Sequence, residues 1–330
     1  RQVRRVRLGR RRQLLRGLRT GDPEVLAKDR ILSARGLDAV VAKLRRAEEE
    51  MGSDDPAVRE KAIGETISKV LYPNDETESG KELRLVQQYF FVTCSLRDMI
   101  RRFRKKDSDW EEFPDKAVIQ LNDTHPSVAI LEFLRILVDE DQVAWAKAWG
   151  IVRRTFAYTN HTLLPEALET WGEELFGKVL PRHLDLAREV SRRFLRDEVD
   201  TKWPGDEEHK ARMAIVGDGQ VRMACLSVAG SRSVNGVAAL HTKLLKERLL
   251  CDFADLYPDK FNNKTNGVTQ RRWLSHCNPG LRDLVNEAIG SEWQGDLEKI
   301  SHLATYAEVP AFRDRWHAVK QANKVALTSY

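Results

Sequence analysis

The chain reads as an α/β protein built on a largely parallel sheet, and three observations carry that reading. Residues 117–137 pass from a short branched apolar segment, through a polar bend, into an amphipathic stretch. Residues 222–250 repeat that order: "RMACLSVAG", "SRSVNG", "VAALHTKLLKERLL". Finally, 330 residues of which 42% are hydrophobic supply core enough for about two domains. Strands alternating with helices imply parallel strands covered on both faces.

Taken in order, residues 21–50 are helical by composition and period, and "GSDDP" at 52–56 breaks that run. Asp54 or Asp55 caps a helix begun by Pro56 and extending to about residue 70. "YPNDETESGK" from Tyr72 is a polar loop. "LRLVQQYFFVTCSLRDMIRRFRKK" has helical period around a β-rich centre at Tyr89–Cys94, so it reads as helical or mixed. "AVIQL" (117–121) has the length and branching of a buried strand. Pro126 suits a first helical position because it has no N–H to leave unpaired, and "SVAILEFLRILV" continues with the apolar repeat of a helix against a sheet. Residues 145–171 read as helix, turn, helix, and 222–230 as a second strand ending in the bend "SRSVNG".

Charge and composition exclude several function classes. The net charge is +5, but residues 1–20 hold nine arginines and no acid, so the rest of the chain is acidic. That arm has no aromatic ring for stacking bases, which argues against nucleic acid as a partner. No stretch approaches the ~20 apolar residues that span a bilayer, and the N-terminus lacks a secretory apolar segment. Cys94, Cys225, Cys251 and Cys277 lie far apart without a C-x-x-C pair, which fits a reducing cytoplasm.

The polar bends form a chemical set: "PNDETESGK", "QLNDTHP", "YTNHTLLPEALE", "GSRSVNG" and "NNKTNG". They are rich in Asn, Asp, His and Thr. Such groups donate and accept at once, as sugar hydroxyls do, whereas a phosphate site calls for arginines or a glycine-rich cradle. Taken singly, each bend is more often a helix cap, and His125 or His161 alone is more often a structural histidine. Neither histidine has zinc-motif spacing. Asp123 and Glu169 form a candidate carboxylate pair, but their separation is not legible in the sequence. In open α/β sheets ligands bind beyond the carboxyl ends of strands, where these bends are expected. Bottom-up, the chain is a sugar-binding α/β scaffold.

A resemblance takes the reading further. "LYPNDETESGKELRLVQQYFF", "AVIQLNDTHPSVAILEFLRIL", "AYTNHTLLPEALETW", "LPRHL", "GSRSVNGVA" and "KFNNKTNGVTQRRWL", in this order, resemble the α-1,4-glucan phosphorylases of glycogen and maltodextrin breakdown. The resemblance covers about residues 56–330 and leaves 1–50 without a counterpart. It implies a two-Rossmann-domain glycosyltransferase (GT-B) fold. Residues 51–266 would form the later part of the N-terminal domain, and 267–330 the beginning of a C-terminal one. It also implies phosphorolysis of an α-1,4-glucan by inorganic phosphate to glucose 1-phosphate, pyridoxal phosphate as cofactor, a homodimer and a cytoplasmic location.

By the same resemblance, Asp75 lies on a gate loop beside the sugar, and Asp123 and His125 line the active-site region. His161 contacts the 6-hydroxyl side of a glucosyl unit, Asn266 binds that hydroxyl, Trp273 neighbours the cofactor and Glu169 lies along the pocket wall. Arg101 and Arg102 resemble an effector-phosphate pair. The sequence departs from the family pattern at Glu76-Thr77-Glu78, where animal members have Asn-Phe-Phe, at Arg232 in place of histidine, and at Gln270 in place of proline. Arg232 is expected to bring a fixed charge to the cleft floor. The Gly-Thr-Gly-Asn-Met-Lys setting of the family's cofactor lysine does not occur in the chain. The 330 residues are therefore expected to be inactive alone, the alternative being an oligosaccharide-binding or partner-binding fragment without turnover.

Overall fold

A computed structural model describes residues 66–104, 109–164 and 168–329, and divides the chain into two compact units at Thr265/Asn266. The arginine arm, the 21–50 helix, the 52–56 break and the start of the following helix lie outside the described residues.

The first unit is α/β. Its main sheet has four parallel strands in the order β1 (Ile119–Asn122), β2 (Phe156–Thr159), β6 (Ser231–Gly236), β7 (Phe261–Asn263). A second, antiparallel sheet joins β3 (Thr170–Gly172), β5 (Gln220–Arg222) and β4 (Val216–Gly217). Asp218 and Gly219 turn β4 into β5 with φ of 53° and 71°. Both values are positive, as a two-residue hairpin matched to strand twist requires, and Asp-Gly meets that demand at low cost.

Helix α1 (Glu78–Arg104) is continuous through Tyr89–Cys94, so the β-rich centre did not break it. Leu85, Val86, Tyr89, Val92, Leu96 and Ile100 recur at helical spacing and are buried, and burial of that stripe overrides local β-propensity. Next comes the expected strand–bend–helix: β1, then residues 123–127, then α2 (Val128–Arg135), which runs on as π-helix through Ile136–Glu140. Residues 128–134 of α2 are all buried, and the helix covers Leu121 and Phe156 of the sheet within one core.

Two readings require correction. The stretch 145–171 is not helix–turn–helix: α3 (Trp145–Thr155) is followed by strand β2, a loop and strand β3, well before the next long helix, α4 (Pro181–Phe194). All four residues of β2 are buried, and a strand buried on both faces shows no alternation to mark it. The segment 222–230 is not a strand but mostly helix α5 (Met223–Gly230), and its supposed bend is the central strand β6. Every residue of α5 is buried, so it carries no amphipathic stripe; a short apolar run reads the same as strand or helix. At its end Gly230 lies against α2. A Cβ there would stand 2.8 Å from Ile130 Cδ1, so the close approach of the two helices requires glycine. The polar "SRSVNG" becomes a strand because β2 and β7 pair with it on either side.

The second unit packs around the buried Trp293, whose Nε1 donates to Asn286 Oδ1 at 2.9 Å. Its helix α7 (Pro279–Ile289) is capped by Asn278, which accepts from Leu281 N, and Gly290 follows the helix at φ 79°. Helix α8 (Pro310–Thr328) has no buried residue. Among the described residues no helix is long and apolar enough to cross a membrane, and the four cysteines are free thiols.

Candidate functional site

The carboxyl ends of β1 and β2 open into polar corners. Asp123 leaves β1 in the left-handed region at φ 60°, 9% exposed, and its N–H donates to Thr159 O at 2.9 Å. Asp tolerates this region better than most residues because its short side chain bonds locally; here Oδ1 accepts from Thr124 N at 3.2 Å. The turn puts two consecutive side chains, Asp123 and Thr124, inside the protein, which an extended strand would not do.

Glu169, just before β3, is the hub. Its side chain is 8% exposed, and Oε1 accepts from Arg84 Nε (3.2 Å), Arg84 Nη2 (3.0 Å) and Gln88 Nε2 (2.9 Å). Oε2 accepts from Thr124 Oγ1 at 3.2 Å. Arg84 reaches the other way with Nη1, 2.9 Å from Asp75 Oδ2, and its guanidinium lies 5.5 Å from the Tyr72 ring centroid. One cation thus joins the Asp75 loop, α1 and the entrance to β3. With its oxygens occupied by donors, Glu169 serves as a positioned charge.

Tyr72 and His125 meet edge to face, the phenol oxygen 2.8 Å from Nδ1. Burial, then the Glu169 carboxylate, pushes the Tyr72 phenol above its ordinary range, with Asp123 adding to this and Arg84 opposing it. A protonated phenol carries both an O–H and lone pairs, so it can donate to Nδ1 or accept from it. Tyr72 is itself held at φ 57°, its N–H on Gln87 Oε1 at 3.1 Å.

At β2 the exposed His161 has Nε2 3.3 Å from Asn122 Oδ1. Gln120 Nε2 donates to Thr159 Oγ1 (2.8 Å), which donates to Asn235 Oδ1 (2.9 Å), and Asn160 N donates to Asn235 O (3.0 Å). These bonds carry a polar line across β1, β2 and β6.

Of the residues singled out from the sequence, Asp75 and Glu169 share Arg84, and Thr124 links the corner of Asp123 and His125 to Glu169. His161 contacts Asn122, the residue before Asp123. Asn266 and Trp273 belong to the second unit, both exposed, Trp273 at 68%. Arg101 and Arg102 lie exposed near the end of α1, both paired with Asp98. Arg232 is not at the polar corners. It sits near the amino end of β6, exposed, about 13 Å along the strand from Gly236. Arg84 and Gln88 were missed by sequence reasoning, although two adjacent glutamines within an apolar helical stripe are a visible signal of buried polar work. Among the described residues no group of three or more His, Cys, Asp or Glu is arranged to hold a metal ion.

The sequence that folds into this parallel sheet and its polar corners is matched by the carbohydrate phosphorylase family model. That model matches residues 30–330, so the chain belongs to the carbohydrate phosphorylase family. Residues 30–50, set apart above, fall inside the match. Among individual relatives, the glycogen phosphorylase of Synechocystis sp. is 50% identical over 277 residues, 83% of this chain and 32% of that protein. The muscle-form glycogen phosphorylases of Bos taurus and Homo sapiens are each 47% identical over 285 residues, 83% of this chain and 34% of theirs. The chain thus spans about a third of the length of these relatives.

Proposed function

We propose that the polar corners bind an α-1,4-glucan and that the chain is part of a glucan phosphorylase, which transfers a terminal glucosyl unit to inorganic phosphate as glucose 1-phosphate. The observation that carries this reading is the convergence of Tyr72, Asp75, Arg84, Gln88, Thr124, His125 and Glu169, drawn from distant segments, at one end of the sheet. Groups of this kind match sugar hydroxyls, which donate and accept. Asp123, His125 and His161 line the glucosyl site in this reading, with Asp75 on a gate loop and Glu169 fixing the wall through Arg84. Asn266 is the partner of the sugar's 6-hydroxyl. The wider architecture is then a GT-B pair of Rossmann-like domains with their boundary near residue 266, in a cytoplasmic homodimer.

Pyridoxal phosphate is the cofactor this family membership implies, and Trp273 its neighbour here. The residues present do not fit it by themselves. Holding it requires a lysine amine at the site, and the half-buried Lys260 gives its Nζ to Val228 O at 3.0 Å and to the Tyr257 ring face. No catalytic step through the cofactor is assigned to these residues. That mismatch favours a glucan-binding role without turnover for the 330 residues taken alone.

Calorimetry with maltoheptaose, beside a glucose 1-phosphate assay with glycogen and labelled phosphate, tests both halves. The expected outcome is saturable binding without glucose 1-phosphate. No binding would refute the site, and turnover would refute the argument from the missing lysine.

A further inference from the structure

His241 lies beyond the candidate residues, at the carboxyl end of β6 in α6 (Ala239–Leu244). Its ring is fixed by two independent features. Val237 N donates to Nδ1 at 3.1 Å, so Nδ1 is an acceptor and the proton resides on Nε2. The ring also lies over Gly236, where a Cβ would come 2.7 Å from Nδ1 and 2.4 Å from Thr242 Oγ1. Only a residue without a side chain permits that packing.

The ring is therefore held with its N–H end directed away from the helix start, and Nε2 is buried with no hydrogen-bond partner. A buried donor left unpaired costs about 1–3 kcal/mol and calls for an explanation. Strand pairing supplies the neighbourhood: Asn235 aligns with Thr159, Asn160 N donates to Asn235 O, and Asp123 N donates to Thr159 O. His241 thus adjoins the corners that carry Asp123 and His161. Desolvation first, and the nearby His161 second, hold its imidazole below the ordinary histidine range against an opposing pull from Asp123, which keeps the ring neutral.

We propose that His241 is a further ligand-binding residue of this site, its Nε2–H donating to a hydroxyl oxygen of the bound sugar. The proposal rests on the glucan-binding reading above. The donor is covered in this structure, so a side chain must move to admit the ligand. His161 is the neighbour suited to that move, being exposed and tethered by a single 3.3 Å contact to Asn122.

Two substitutions separate the two ends of the ring. His241→Asn keeps an acceptor near the Nδ1 position for Val237 N–H but has nothing at Nε2. His241→Gln restores an N–H donor near Nε2. Measured by calorimetry on the full chain, maltoheptaose affinity is expected to fall about five- to tenfold in His241→Asn and to recover in His241→Gln, the size of one neutral hydrogen bond. In ¹⁵N-histidine-labelled wild type, the His241 Nε2 signal is expected in the Nε2–H tautomer and to shift on adding maltoheptaose. An unmoved signal at saturation, or wild-type affinity in His241→Asn, overturns the proposal while leaving the glucan site standing. If the wild-type chain binds no maltoheptaose, the glucan reading itself fails and this inference falls with it.

Discussion

Arg84 is the residue whose removal tests the site's construction most directly. In Arg84→Ala, Glu169 loses two of the four hydrogen bonds and the ion pair it makes among the described residues, and Asp75 loses this cation. The Asp75 contact contributes under about 1 kcal/mol, because that carboxylate is 52% exposed. The Glu169 contact matters more. Removing one partner of a buried pair costs about 3–5 kcal/mol, and the surviving donors Gln88 and Thr124 offset part of that, leaving a net loss of about 2 kcal/mol. In a unit of this size such a loss lowers Tm by about 4–8 °C. Urea unfolding followed by circular dichroism checks the free energy, and a thermal melt checks the shift. The adverse element in the variant is an uncompensated buried charge, so Arg84→Ala/Glu169→Gln should recover about half the loss. A single variant within about 0.5 kcal/mol of wild type, or a double variant weaker than the single, would refute the claim that Arg84 neutralises a buried carboxylate.

Two further predictions concern the scaffold. Gly230→Ala places a methyl 2.8 Å and 2.9 Å from two Ile130 carbons; it should cost about 1–3 kcal/mol, with Ile130→Val recovering part, as urea midpoints will report. Glu132 is wholly buried, between Arg135 Nε and His183 Nε2, each at 2.8 Å. Burial alone would raise its pKa, but hydrogen bonds from His183 and Arg135 outweigh that and hold it to about 2. A depressed carboxylate gives stability that is fully present above about pH 4.5 and lost as pH falls through about 2, here about 3 kcal/mol. Unfolding free energies between pH 5 and 2 should slope in wild type and flatten in Glu132→Gln.

The strand–bend–helix at 117–137 was legible because three signals agreed there: branched residues, Pro126 and an amphipathic repeat. Strand β6 was not, because its polar residues read as a bend, and helix α5 and strand β2 were not for a separate physical reason. Periodicity reports the boundary between core and solvent, and elements buried on every side have no such boundary. Residues 222–230, mostly helix, were therefore read as a strand; 231–236, a strand, were read as a bend. Helix α1 blurred for a different reason, since Tyr89–Cys94 combines β-branched and aromatic residues with helical spacing. At the site, residue types were informative and distances were not. Asp75 and Glu169 were both singled out, but Arg84, which joins them across 9 and 85 positions of sequence, was not. A bridging cation leaves its mark only in three dimensions.

The left-handed corner at Asp123 has a consequence for how this sequence can drift. Most side chains would relax such a backbone toward the extended form, and the following threonine would then swing out of reach of Glu169. Only glycine, asparagine and aspartate occupy that conformation cheaply, and glycine would abandon the oxygen that accepts from the next amide. Evolution at this position therefore chooses between an acid and its amide, whatever ligand the neighbouring loops come to prefer.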